Sequence, residues 1–283
     1  MSDDLTTQPP PAAAGGTATG AQVLIRVRDV SKRYRTRDGG VYALAPTNVD
    51  IAEREFVSIV GPSGCGKSTL MMLMSGLVNV TSGEIRIRDQ RVTGPYTDLG
   101  IVFQQDLLMD WRTTLNNVLI QAEFRGVSKK SMELRARELL STVGLSGFER
   151  KYPYELSGGM RQRVAICRAL VHDPELLLMD EPFGALDALT REQLNLDLQE
   201  IWQQTRKTVV FITHSIGEAI FLSDRVLVFG PRPGRIVDDI EIDLPRPRRL
   251  ADRSTKKFAE YTERIRTTFQ SMGVIQERHA ADA

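Results

Sequence analysis

Within the 283 residues of the chain, one stretch reads Gly61-Pro62-Ser63-Gly64-Cys65-Gly66-Lys67-Ser68-Thr69. It fits G-x-x-x-x-G-K-[ST], the pattern of a loop that wraps phosphate groups. Glycines let the backbone curl so that several N–H groups point inward, and a following helix adds partial positive charge. Lys67 is placed to reach the β- and γ-phosphates, and Ser68 to offer its hydroxyl to Mg²⁺. An accidental match of the four fixed positions is expected in roughly 1% of chains this long.

Two acids stand downstream at the end of an apolar run, Leu176–Pro182 (LLLMDEP). Asp180 fits a Mg²⁺-holding carboxylate. Glu181 is placed to orient and polarise an attacking water. Alone the pair is weak, because strands often end in acids. With a phosphate loop upstream it completes a magnesium–nucleotide site. A second glycine-rich helix start lies at Leu156–Arg163 (LSGGMRQR). Ser157 reads as an N-cap. Gly158 and Gly159 follow where a helix prefers better formers, which points to a second anion-binding helix end.

The elements that must position these residues follow from periodicity. VLIRVRDV from Val23 alternates as a strand, a turn is expected at Arg37–Gly40, and VYALAPTNVDI and EFVSIVG read as further strands. A helix starts at Lys67. GEIRIRDQ and DLGIVFQ are strands again. From Trp111 to about Gly144 the character is helical, with apolar residues at three- and four-residue spacing in TLNNVLIQAEF (114–124) and SMELRARELLSTV (131–143), and SGGMRQRVAICRALV is another helix. LLLMD, TVVFITH and RVLVFG then alternate as strands with the helices TREQLNLDLQEIWQQT and SIGEAIFLS. One more strand (RIVDDIEI) and a terminal helix near 251–270 follow. This order predicts an α/β core with a largely parallel sheet, interrupted by a helical block.

Composition excludes whole classes. Lys plus Arg is 37 and Asp plus Glu is 36, so the net charge of +1 gives no global reason to expect nucleic-acid binding. Two cysteines, Cys65 and Cys167, cannot build a disulfide framework. No stretch approaches the roughly 18 apolar residues of a membrane helix. The first 20 residues, rich in Pro, Ala, Gly and Thr, lack a signal-peptide pattern and read as a disordered tail. A reduced, intracellular chain is expected. His172 and His279 have no chemical context.

The ordered series resembles the ATP-binding subunits of ABC transporters from about Val23 to Gly230. It comprises GPSGCGKST, a strand ending VFQ at Gln104, LSGGM, LLLMDEP, GALD ending at Asp187, and THS at His214. The resemblance implies a P-loop NTPase core with an antiparallel β subdomain and an inserted helical subdomain at about 105–157. It implies an ATPase domain over 21–245 and an extension over 246–283. It also implies ATP hydrolysis with Mg²⁺. Tyr34, in VSKRY, resembles the aromatic residue that stacks on adenine, with Tyr42 as a rival. Gln104 resembles the glutamine that senses Mg²⁺ and the lytic water, and His214 the histidine that contacts the γ-phosphate. Two copies would then sandwich two ATPs, each held by the phosphate loop of one copy and by Ser157–Gly159 of the other, with Asp187 at the seam. Met160 stands where Gln is usual and Gly184 where Ser is usual; both leave the anion-binding backbone and Asp187 in place.

The family's importers use separate membrane permeases and a solute-binding protein, so the implied location is the cytoplasmic face of the membrane. QDLLMDWRTTLNNV (105–118) and GPRPGRIVDDIEIDLPRPR (230–249) look like segments of the nitrate/sulfonate/taurine importer ATPases. Leu107, Leu108 and Trp111 would then line the groove that receives the permease. Asp110 stands where this subgroup often has Pro. Vitamin-precursor importers share the WRT form and remain an alternative, as does a soluble non-transport ABC ATPase. The basic run Arg246–Lys257 reads as a solvated linker.

Overall fold

The computed structural model describes residues 22–36 and 39–275. The expected N-terminal tail, Arg37 and Asp38 of the expected turn, and the last eight residues lie outside them.

A six-stranded sheet carries the core. Its strands are β3 (Phe56–Val60), β6 (Leu99–Val102), β7 (Leu176–Asp180), β8 (Thr208–Thr213), β9 (Arg225–Phe229) and β10 (Ile236–Glu241). They lie in the order β10-β9-β3-β8-β7-β6, and all pair in parallel except β10, which runs antiparallel along β9. Strands buried on both faces read as unbroken apolar runs. Their alternation splits the core in two, because successive side chains point to opposite faces. Phe56, Met179, Val209 and Phe211 face one cluster; Val57, Ile59, Leu178, Val210 and Ile212 face the other.

The second cluster is closed by α1 (Lys67–Met74) and by a four-stranded antiparallel sheet. That sheet comprises β1 (Val23–Tyr34), β2 (Val41–Ala52), β4 (Ser82–Ile87) and the short β5 (Gln90–Arg91), in the order β2-β1-β4-β5. The first cluster is closed by α5 (Gly158–Leu170), α6 (Ala188–Thr205), α7 (Ile216–Leu222) and α8 (Lys256–Ser271).

The helical block is broken into α2 (Thr114–Val118), α3 (Ile120–Phe124) and α4 (Lys129–Thr142). Val118, Ala136, Leu139 and Leu140 pack into the same buried cluster as Val102 and Met179 of the sheet. A loop of 102–113 and helix α5 thus connect this block to the strand ends.

The basic run is solvated only in part: Arg249, Lys256 and Lys257 are exposed, but Arg246 and Arg248 are folded into the domain. Arg248 is only 2% exposed, and its guanidinium donates to the carbonyls of Ile220, Phe221 and Ser223 at the end of α7. Arg246 pairs with Asp224 at 2.8 Å and stacks on the Trp202 ring at 4.3 Å. A helix end leaves carbonyls without partners, and a buried guanidinium with five N–H groups can satisfy several at once. Beyond it, α8 buries Phe258, Ile265 and Phe269 along one face.

Candidate nucleotide site

The parallel register decides where the chemistry gathers. Val60 pairs with Thr213, Ile212 with Asp180, and Met179 with Val102. The segments leaving β3, β8, β7 and β6 therefore emerge side by side at the carboxyl ends of four adjacent strands. They carry the phosphate loop, His214, Glu181 and Gln104. Open α/β sheets place their ligand sites at this edge.

The loop between β3 and α1 turns on Gly66, whose φ is +112°. An added Cβ would sit 2.5 Å from the Ala43 carbonyl oxygen, so only glycine fits the close approach. No side chain caps α1, which leaves its first N–H groups free for a ligand. Lys67 is 4% exposed and donates to the carbonyls of Gly61 at 2.9 Å and Pro62 at 3.0 Å. An ammonium has three protons. Two hold the loop shut on its own lysine, and the third can reach an incoming phosphate.

Ser68 Oγ donates to Asp180 Oδ1 at 3.0 Å. Burial pushes the Asp180 carboxyl up from its ordinary value, the Ser68 hydrogen bond draws it back, and the neighbouring Glu181 charge pushes it further up. A buried acid in this state favours a cation. The two oxygens suit Mg²⁺, which takes few protein ligands and completes its shell with water and substrate phosphates. Among the described residues no cluster of three or more His, Cys, Asp or Glu forms a cage of its own.

Glu181 adopts φ +45°, in the left-handed region. Its N–H donates to the Ile212 carbonyl at 2.9 Å, which fixes this backbone at the strand end. Its Oε2 lies 3.4 Å from His214 Nδ1. Gln104 comes close as well: a Cβ at Gly184 would stand 3.3 Å from its Nε2 and 3.4 Å from the Glu181 carbonyl. The glycine that replaces the usual serine therefore leaves room for Gln104.

A cleft of about 290 Å³ opens over the phosphate loop, lined by Tyr34, Val41, Ala43, Ser63, Gly64, Gly66, Lys67, Ser68, Thr69, Glu181 and Arg232, while Gln104, Asp180 and His214 are not among its lining residues. Tyr34 lines it and Tyr42 does not. Lys32 Nζ lies 5.1 Å over the Tyr34 ring. Cys65 is buried beneath the loop.

Ser157, Gly158, Gly159 and Asp187 are not among the residues lining this cleft. Ser157 caps α5 by accepting from the Met160 N–H at 3.3 Å. Gly159 sits against α6; a Cβ there would be 2.5 Å from Thr190 Cγ2. Asp187 caps α6 through the Thr190 N–H at 3.0 Å.

Three residues outside the sequence-derived site take part. Arg232 donates twice to the Gly64 carbonyl, at 3.1 and 2.9 Å, from the turn that follows β9. Its signal is the Pro-Arg-Pro-Gly sequence, which marks the turn but not its target. Arg161 pairs with Asp106 at 2.9 Å, and Arg168 donates to the Asp106 and Leu107 carbonyls. Helix α5 thus grips the loop after Gln104. On that loop Trp111 is 74% exposed rather than a core aromatic, and Leu107 is exposed too.

A parallel sheet with a glycine-rich phosphate loop, a strand-end Asp–Glu pair and a facing histidine defines a P-loop nucleotide hydrolase. The comparisons with known proteins narrow this. The ABC transporter family profile matches residues 44–184. The taurine import ATP-binding protein TauB of Rhizobium johnstonii is 46% identical over 256 residues, covering 88% of this chain and 97% of that protein. An aliphatic sulfonates import ATP-binding protein, SsuB of Bacillus cereus, is 41% identical, covering 89% of this chain and 98% of its own length. A dimeric structure of MJ0796, a bacterial ABC transporter cassette, superposes with a TM-score of 0.69 at 34% identity, over 78% of this chain and 100% of the cassette. The chain belongs to the ATP-binding subunit family of ABC transporters, and it is an ATPase of that family. Among the described residues no helix is long and apolar enough to cross a membrane.

Proposed function

We propose that this chain hydrolyses Mg-ATP to drive an importer of small anionic or organic solutes, a sulfonate such as taurine being the first candidate and nitrate the next. The observation that carries the chemistry is the alignment of Lys67, Ser68–Asp180, Glu181 and His214 along adjacent strand ends. The cargo class rests on the similarity to the taurine and sulfonate import proteins.

The geometry supports a division of labour. Tyr34 offers its ring to the adenine. The loop N–H groups and the third Lys67 proton hold the phosphates. Ser68 and Asp180, with Gln104 nearby, would hold Mg²⁺, which neutralises charge on the phosphate oxygens when bound. Glu181 orients the attacking water, and His214 beside it meets the γ-phosphate. Positioning and charge stabilisation supply most of phosphoryl-transfer catalysis. Ser157–Gly159 and Asp187, at the starts of α5 and α6, would be offered to the ATP held by a second copy. We read residues 21–245 as the ATPase unit, 105–157 as its helical arm and 246–283 as an extension.

The partners proposed are two permease subunits, with a solute-binding protein beyond them and a second ATPase copy. The exposed Leu107 and Trp111 lie where a permease segment would dock, which would hold the chain at the cytoplasmic face of the membrane. Deleting the gene and supplying taurine or an alkanesulfonate as sole sulfur source tests the reading. Loss of growth, restored by the wild-type gene but not by Glu181→Gln, is expected. Growth unaffected in a strain without a redundant importer turns the cargo assignment toward nitrate or a vitamin precursor.

A further inference from the structure

His214 stands between Thr213 and Ser215, and both neighbours are tied to one buried acid. Thr213 Oγ1 donates to Glu218 Oε2 at 2.6 Å and accepts from the Ser215 N–H at 3.0 Å. The Glu218 N–H donates to Ser215 Oγ at 3.3 Å. Glu218 is 5% exposed. One oxygen is therefore spent on the turn that carries His214.

The other oxygen faces a different element. Glu218 Oε1 lies 3.5 Å from Arg191 Nε, and neither atom has a hydrogen-bond partner among the described residues. Arg191 is one turn into α6, the helix that Asp187 caps. Its Nη2 donates to the Leu186 carbonyl at 3.1 Å, inside the GALD segment itself. The basic residues that act on Glu218 are Arg191, His214 and Arg253, from three separate parts of the chain. A buried carboxylate oxygen pointing at a guanidinium just beyond hydrogen-bonding distance is a contact poised to close.

We propose that Arg191 and Glu218 are positioning residues that couple the Asp187 segment to His214. Resting on the roles proposed above for His214 and Asp187, the pair acts as follows. When a second copy seats the Asp187 segment, Arg191 is pressed onto Glu218 and the Thr213–Ser215 turn is fixed. His214 is then held in place to meet the γ-phosphate only when the sandwich is closed. A shift of less than 1 Å would be enough, because the pair needs to shorten only from 3.5 Å to an ordinary charge-assisted hydrogen bond.

The test uses the purified full-length chain, with kcat, the Mg-ATP dissociation constant and thermal unfolding measured for each variant. Arg191→Ala and Glu218→Gln are each expected to lower kcat about fivefold while leaving ATP affinity within about twofold. The double variant should fall no further than the weaker single one, since the two residues act through one contact. Arg191→Lys, which keeps the charge but lacks the planar guanidinium that presents Nη2 to Leu186 and Nε to Glu218 together, should fall between wild type and Arg191→Ala. It also serves if the alanine variant folds poorly. Wild-type kcat in the single variants, with only a lowered unfolding temperature, overturns the proposal. So does a multiplicative loss of about 25-fold in the double variant, which would mean independent effects. His214→Ala is the reference. If it turns over normally, the role of His214 and the coupling both fall; if it is inactive while Arg191→Ala is normal, only the coupling falls.

Discussion

The chain contains two glycine-rich helix starts, and they are built in opposite ways. At α1, Gly66 is left-handed, no side chain caps the helix, and the loop lines a cleft with Tyr34, Lys67 and Glu181. At α5, Ser157 uses its own hydroxyl as the cap, and no residue of Ser157–Gly159 lines the cleft. The first brings the proposed phosphate-binding groups together within one chain. The second holds donors that do not line that cleft; in the proposed sandwich it is the half-site offered to a second copy. Glycine at a helix start thus has two meanings, and the cap tells them apart.

Chemistry can be switched off while both helix starts stay intact. Glu181→Gln is expected to cut ATP turnover by about 100-fold or more, the scale of removing a positioned base, while ATP still binds. Equilibrium binding and phosphate release read the two separately, and wild-type turnover would undo the assignment of Glu181. Lys67→Ala attacks the phosphate loop and should weaken ATP binding about 30-fold, the loss of a charge-assisted contact. Unchanged affinity would remove Lys67 from the phosphate reading. Ser157→Ala attacks the half-site. It should cost about 1 kcal/mol of stability from the lost cap and about tenfold in turnover, with the single-chain ATP affinity nearly unchanged. A matching loss of ATP affinity would break the contrast between the two starts. Arg232→Ala is the smallest: its exposed guanidinium braces Gly64 from outside, so ATP affinity should fall about threefold.

What could be read from the sequence divides along the same physical line. The phosphate loop, the Asp180–Glu181 pair and the Ser157 cap were legible because each needs particular residue types at fixed spacing. The central strands were legible because burial on both faces forces unbroken apolar runs, as in Leu176–Met179. The helical block reads as two stretches, 114–124 and 131–143, and only the division of the first at Leu119 is hidden, because the apolar spacing persists across that break. Arg248 was misread for a deeper reason. A basic, proline-containing run looks solvated, and only the carbonyls at the end of α7, fixed by a distant part of the fold, make its burial favourable. Arg232 was missed likewise, since its partner Gly64 is 168 residues away. Contacts of this kind belong to tertiary structure, and no local pattern announces them.

The buried guanidinium of Arg248 also sets an order of assembly. During synthesis the phosphate loop, both acids and His214 leave the ribosome before residue 248 does. Until it emerges, the carbonyls of Ile220, Phe221 and Ser223 lack their closing donor, and the helix that begins beside His214 has an open end. The nascent chain therefore carries the phosphate loop, both acids and His214 before the helix beside that histidine has its closing donor.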